Sequence, residues 1–208
     1  MSNDGLTIYG AHFSRAARCI WLALELGIPF EHEAIPYLDP ALKQPPYLAR
    51  NPMGKVPAIN DRGFHLWESM AINYYIAQLK PNALWPQDLQ GQALVMQWSF
   101  WGMAEVEKAG IALGLHTGLL PEANRSAEAL TQANAVLARP LAVLEAALAD
   151  HDYLLGEAFT LADLNVAGIL WPIHAGKAVM DNCPRAQAWL ARCLERPAAQ
   201  SAFGLPTA

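Results

Sequence analysis

Several kinds of chemistry are missing from this chain before any motif is considered. Lysine and arginine number only 14 in 208 residues and never gather into a dense run, and the formal net charge is −5. No nucleic-acid partner is expected, because such surfaces concentrate positive charge to displace counterions from phosphates. No stretch approaches the roughly 20 uninterrupted apolar residues of a membrane span, so no membrane association is expected. The opening MSNDGLTIYG has neither a basic start nor an apolar run, and a secretory leader is not expected either. Cysteine is scarce: Cys19, Cys183 and Cys193 are scattered and form no CxxC. Neither a disulfide framework nor a zinc site has the spacing it needs. Reduced thiols in a cytoplasmic protein without a metal are the simplest reading.

What the chain does have is core material. Apolar residues make up 53% and charged ones 16%, a balance that argues against disorder. The N-terminal part alternates in type. LTIYG (6–10) has the look of a short buried strand, and Ser14 opens a helical pattern that runs to a stop at Gly27. FEHEAI (30–35) alternates with period two, and 39–50 suits a short irregular helix. VPAIN (56–60) and FHLW (64–67) flank Asp61-Arg62-Gly63 as a hairpin, and a second helix is expected over 69–79. This is an α/β plan with a small mixed sheet.

KPNALWPQD (80–88), with two prolines and several turn formers, reads as a linker. Beyond it the pattern is helical: 88–118, 124–150, a helix opened by the capping-box-like Thr160-Leu-Ala-Asp163 and interrupted at Pro172, and a last one over 184–195. The expected organisation is residues 1–80 as an α/β domain, 81–87 as linker and 88–208 as an all-α helical bundle.

Three stretches could carry chemistry. YGAHFSRAARCIW (9–21) offers His12, Ser14 and Cys19 within eight positions. Cys19 falls on an arc with Ala23 and Leu26, opposite a face holding Ser14, Arg18 and Glu25, which suits a core residue better than a nucleophile. His12 sits on the loop before the helix. In NPMGKVPAIN, Val56-Pro57 heads a strand where proline cannot donate to a ladder. It is either an ordinary edge-strand proline or a cis bond that turns the Val56 backbone outward. In HLWESMAINYYIAQL, Glu68-Ser69 stands where a strand meets a helix N-terminus. Ser69 can simply cap the helix, or it can also bind an anion there.

These elements, with SRAARCIWLALELGIPFE and the later FTLADLNVAGIL, resemble the glutathione transferase superfamily over nearly the whole chain. The resemblance implies a thioredoxin-like N-terminal domain, an all-α C-terminal domain, glutathione as co-substrate and a homodimer. It implies a cis Val56-Pro57 whose backbone pairs with the cysteinyl part of glutathione, and a γ-glutamyl carboxylate site at Glu68 and Ser69. Lys43 and Lys55 fall where such proteins contact the tripeptide. Ser14, followed four residues on by Arg18, resembles the serine of serine-type members, which hydrogen-bonds the glutathione sulfur and favours its thiolate. Tyr9 is a rival for that role. Tyr9, His12, Phe13, Trp101, Met103 and His116 are candidates for the wall of a pocket for a small hydrophobic electrophile. Ser14 stands where thiol-exchanging relatives carry a cysteine, and His12-Phe13-Ser14-Arg15 lacks the Ser-Ser-Cys run of relatives that isomerise maleylacetoacetate-like substrates. Conjugation, with peroxide reduction as a companion activity, is the expected function; a non-catalytic interaction or regulatory protein of the same fold is the alternative.

Overall fold

A computed structural model describes residues 5–180 and 182–204, which divide into two compact units. The first holds the residues up to Asn82 together with those from Arg196 onward, and the second is Ala83–Glu195.

The first unit is built on a four-stranded sheet in the order β2-β1-β3-β4, with β1 Leu6–Tyr9, β2 Phe30–Glu33, β3 Ala58–Asp61 and β4 Phe64–Trp67. The first two strands are parallel, with Leu6 opposite Phe30, and a parallel pair needs a crossover. Helix α1, Ala16–Glu25, supplies it, and Gly27 ends that turn at φ +59°, a conformation that costs glycine little. β3 runs antiparallel to both neighbours, and β3 and β4 form the expected hairpin. All four residues of β1 are buried, as suits an interior strand. The segment expected as an irregular helix forms a 3-10 turn at Pro40–Lys43 and a single turn α2, Pro45–Leu48. α3, Ser69–Ala77, packs against α1.

A last helix, α9 (Pro197–Phe203), follows the other helices in sequence yet packs on α1. The bundle was expected to continue to residue 208, but compactness places this helix with the first unit. The reason is a specific seam: Arg196 donates to both carboxylate oxygens of Glu25 at 2.7 and 2.8 Å, and the Trp21 and Phe203 rings meet edge to face at 5.9 Å. Residues 205–208 of the expected tail lie outside the described residues.

The same seam helps to cover the face of α1 opposite Cys19. Arg18 is only 3% exposed, and the Glu25 side chain is covered, because α3 and α9 both lie on α1. Burial alone would raise the Glu25 carboxyl, but the Arg196 and Trp21 hydrogen bonds outweigh it and hold the group below its ordinary value. A depressed folded pKa adds stability that is present above the unfolded value of about 4.3 and lost as pH falls through the folded one. Acid should therefore loosen α9 first. Arg196→Gln should remove that acid-sensitive step in amide exchange of residues 197–203 while loosening α9 at all pH values.

The second unit is helical. α4, Leu89–Trp101, starts at Asp88, whose Oδ1 accepts from Gly91 N–H at 2.8 Å. The expected unbroken helix to residue 118 is instead interrupted by π-helical turns at Gly102–Val106 and Leu115–Leu119, with α5, Glu107–Gly114, between them. α6, Ala127–Ala147, is capped by Ser126 and carries Pro140. α7, Leu161–Ala175, is the buried axis, and α8, Pro184–Leu194, packs on it. The expected interruption at Pro172 does not occur: α7 continues to Ala175. Pro172 lies near the helix end, where one absent N–H removes a single ladder bond and the surrounding burial outweighs it.

Asp163 organises the start of α7. Its Oδ2 accepts from Thr160 N–H (2.9 Å) and Oγ1 (3.0 Å), and its Oδ1 accepts from Leu154 N–H (2.8 Å) and Trp189 Nε1–H (2.9 Å). One carboxylate thus joins the capping box, the preceding loop and α8.

Candidate functional site

The loop from β1 into α1 carries Ser14. Helix α1 begins at Ala16, two residues later than the sequence pattern suggested, so Ser14 precedes it. The half-buried hydroxyl accepts from Ala16 N–H at 3.1 Å and donates to the Ala11 carbonyl at 2.6 Å. The side chain is therefore held at the helix mouth, with its one proton directed at a loop carbonyl.

Its rivals are placed differently. Cys19 is fully buried, with Sγ 3.7 Å from the Ser69 carbonyl; burial drives its thiol far above the ordinary range, against the opposing charge of Arg18. Tyr9 is 3% exposed, packed with Leu42, Tyr47, Val56 and Ala58, and its face carries the Arg50 guanidinium at 4.5 Å. Burial raises its phenol, Arg50 opposing, so Tyr9 is a core residue here, neither a pocket wall nor a ready proton donor. His12 has an exposed ring whose Nδ1 lies 2.7 Å from the Ala202 carbonyl. Phe13 is 53% exposed.

Val56-Pro57 is cis, as the resemblance implied. The preceding Lys55 carbonyl accepts from Tyr47 Oη (2.8 Å) and Asn51 Nδ2 (2.7 Å), both residues being buried. Among the described residues nothing hydrogen-bonds the N–H or C=O of Val56, since β3 pairing starts at Ala58. That leaves one donor and one acceptor side by side, the requirement for pairing with a peptide-like ligand.

Glu68 links β4 to α3 with φ +74°, a costly conformation for a residue bearing a Cβ, of the kind that clusters at functional sites. Glu68 C=O accepts from Ile72 N–H at 2.9 Å, so by helix geometry the N–H groups of Ser69, Met70 and Ala71 have no intrahelical acceptor. Ser69 is the first helical residue and not the cap, and its Oγ accepts from Arg18 Nη1 at 3.4 Å. Three amide donors, a hydroxyl and a guanidinium behind it suit a carboxylate.

These segments touch. A Cβ on Gly10 would stand 2.7 Å from the Ala16 Cβ and 2.9 Å from the Val56 Cβ, so Gly10 (φ +128°) lets the loop before Ser14 close on both. Arg18 ties α1 to the first residue of α3. Lys43 donates to the Met53 and Gly54 carbonyls at 3.2 and 2.8 Å, which makes it a brace for the loop before Val56. Lys55 is exposed beside it. The sequence pattern assigned no role to Asn51 or Tyr47; the NP of NPMGKVP was the available signal for Asn51.

In the second unit, Trp101 is half-buried against the Trp98 ring at 5.0 Å. Met103 and His116 lie in the two π turns, and His116 Nδ1 accepts from Ser126 N–H at 3.1 Å. π turns recur at functional sites, which keeps both residues as candidates.

Comparison with known proteins shows the family. Residues 4–78 match the glutathione S-transferase N-terminal domain and residues 108–197 the glutathione S-transferase C-terminal domain. Glutathione S-transferase PARB of Nicotiana tabacum is 32% identical over 191 residues, 88% of each chain. The theta class glutathione S-transferase of Xanthomonas axonopodis pv. citri, crystallised with glutathione bound, superposes with a TM-score of 0.88 at 29% identity, covering 99% of this chain and 100% of that one. Glutathione S-transferase I from mais, in complex with an atrazine glutathione conjugate, gives 0.83 at 29% identity, covering 98% and 100%. With both halves matched in order and a relative above 30% identity along most of its length, the chain belongs to the glutathione S-transferase family.

Proposed function

We propose that this glutathione S-transferase binds glutathione on its first unit and attacks a hydrophobic electrophile with the bound thiolate, which Ser14 stabilises. The observation that carries the reading is the contact between three ligand-ready segments. Gly10 seats the Ser14 loop against Val56, and Arg18 joins the same helix to Ser69. Relatives of the same fold hold glutathione and a glutathione conjugate.

In this arrangement the Val56 backbone pairs with the cysteinyl residue of glutathione, and the N-terminus of α3 with Ser69 takes the γ-glutamyl carboxylate. Glu68 accepts from the ammonium, and Lys43 and Lys55 attract the glycyl carboxylate. The thiol loses its proton to water. Rotation of the Ser14 hydroxyl about Cβ–Oγ transfers its donation from Ala11 to the sulfur anion. A free thiol ionises at about 8.5, and one directed hydrogen bond lowers that value. Sulfur then forms a bond to the electrophilic carbon while the leaving group departs with its bonding pair. Phe13, Trp101, Met103 and His116 are the proposed apolar contacts of the electrophile. Family resemblance supports a homodimer, and three buried free cysteines suit a cytoplasmic setting.

The test is conjugation of a generic aryl halide at neutral pH. Turnover above the uncatalysed rate supports the reading; tight glutathione binding with no turnover would establish the non-catalytic alternative. Ser69→Ala should raise KM for glutathione about tenfold with kcat nearly unchanged, since a hydrogen bond to a charged group contributes about 1.5 kcal/mol to binding in ground and transition states alike.

A further inference from the structure

His12 stands two residues before Ser14, in the middle of the loop between β1 and α1. A carbonyl oxygen can only accept, so the 2.7 Å contact with Ala202 places a proton on Nδ1 and makes the ring the donor. That bond reaches α9, which is itself fixed on α1 by the Arg196–Glu25 fork and the Trp21–Phe203 ring contact. The loop is anchored at its start as well. Gly10 N–H donates to Glu33 and Ala11 N–H to Ile35, at 2.8 and 2.9 Å, and His32 Nε2–H donates to the Gly10 carbonyl at 2.7 Å. The His32 ring meets the His12 ring edge on at 4.8 Å.

The Ala11 carbonyl is also the acceptor for Ser14 Oγ. Residues 10–11 are thus held from the β2 side and Ser14 from the helix side. Between those anchors, His12 ties the loop to α9. We propose that His12 is a positioning residue for the transferase reaction: its hydrogen bond to Ala202 fixes the loop that presents the Ser14 hydroxyl, and thereby raises the thiolate fraction of bound glutathione without touching the sulfur. The proposal rests on Ser14 being the thiolate's donor. It also gives α9 a function, as the abutment that makes the strut rigid.

The experiment records thiolate absorbance of bound glutathione against pH in wild type, His12→Ala, His12→Asn and Ser14→Ala, with amide exchange at Ala16, whose N–H donates to Ser14 Oγ. Losing one hydrogen bond in the strut should cut the thiolate fraction at neutral pH about threefold to tenfold in His12→Ala. KM for glutathione should stay within about twofold, because the strut makes no binding contact. Ala16 exchange should quicken. His12→Asn carries an amide donor near the place of Nδ1 and should restore both signals, which a ring that merely packs would not allow. An unmoved midpoint in His12→Ala, or an asparagine variant that behaves like alanine, overturns the proposal. If Ser14→Ala also leaves the midpoint unmoved, the failure lies with the Ser14 reading beneath it; a midpoint moved by Ser14→Ala alone condemns the strut and spares that reading.

Discussion

Ser14→Ala should lower kcat for aryl-halide conjugation at neutral pH by about 5- to 30-fold, with KM for glutathione little changed. The size follows from ionisation. If the bound thiol ionises below 7 in wild type and returns to about 8.5 without its donor, only a few per cent is thiolate at neutral pH. The more basic sulfur is a better nucleophile once ionised, which offsets part of that loss. The deficit should shrink as pH rises above about 8.5, because the thiol then ionises unaided. A pH–rate profile measures this directly. A constant deficit at all pH values would mean that Ser14 acts on something other than thiol ionisation. Cys19→Ala serves as the contrast and should stay within about twofold of wild type, since a buried thiol whose ionisation is pushed far up has no route to reactivity.

The largest effect on stability should come from Asp163→Ala. The substitution deserts the N–H groups of Leu154 and Thr160 and the indole of Trp189, and each buried unpaired donor costs about 1–3 kcal/mol. The three losses share one network and do not sum, so about 4 kcal/mol is expected. For a chain of this length that is a fall in Tm of about 8–16 °C. Asp163→Asn separates the geometry from the charge. Its single carbonyl keeps one pair of donors, and it buries no charge, so it should lie between the two. Burial pushes the Asp163 carboxyl up, and the four hydrogen bonds pull it down without cancelling the effect. A raised folded value means that Asp163 does not contribute to acid lability: as pH falls through the folded value toward the unfolded one, the folded state takes up the proton first. Thermal melts at two pH values on the three proteins check both statements.

Much of this was legible in the sequence where local chemistry governs. The Asp61-Arg62-Gly63 hairpin, the Gly27 stop and the Thr160–Asp163 cap each depend on a few adjacent residues. The resemblance supplied the cis Val56-Pro57 that the local pattern left open. What the sequence concealed depends on packing between distant segments. α9 returns to α1 across 171 positions to pair Arg196 with Glu25, so the face with two charged residues opposite the Cys19 arc is covered. Helix α7 passes through Pro172, because its burial outweighs one missing donor, and π turns at 102–106 and 115–119 leave no signature in an Ala/Leu-rich run. At the site, the proposed role of Ser14 came from the resemblance, which matches a serine followed four residues on by Arg18. The supports of that site did not: Tyr47 and Asn51 on the Lys55 carbonyl, and Lys43 as a loop brace, are visible only when the loop is closed.

The central claim is that this chain makes a thiolate it does not itself encode, and that Ser14 holds it. Ultraviolet absorbance of the glutathione complex, titrated with pH in wild type and Ser14→Ala, tests that claim without an electrophile. The expected result is a thiolate band already formed in wild type at neutral pH, and one delayed in Ser14→Ala until about the free-thiol value of 8.5. Glutathione bound without a thiolate band at neutral pH, or identical titrations in the two proteins, would contradict it.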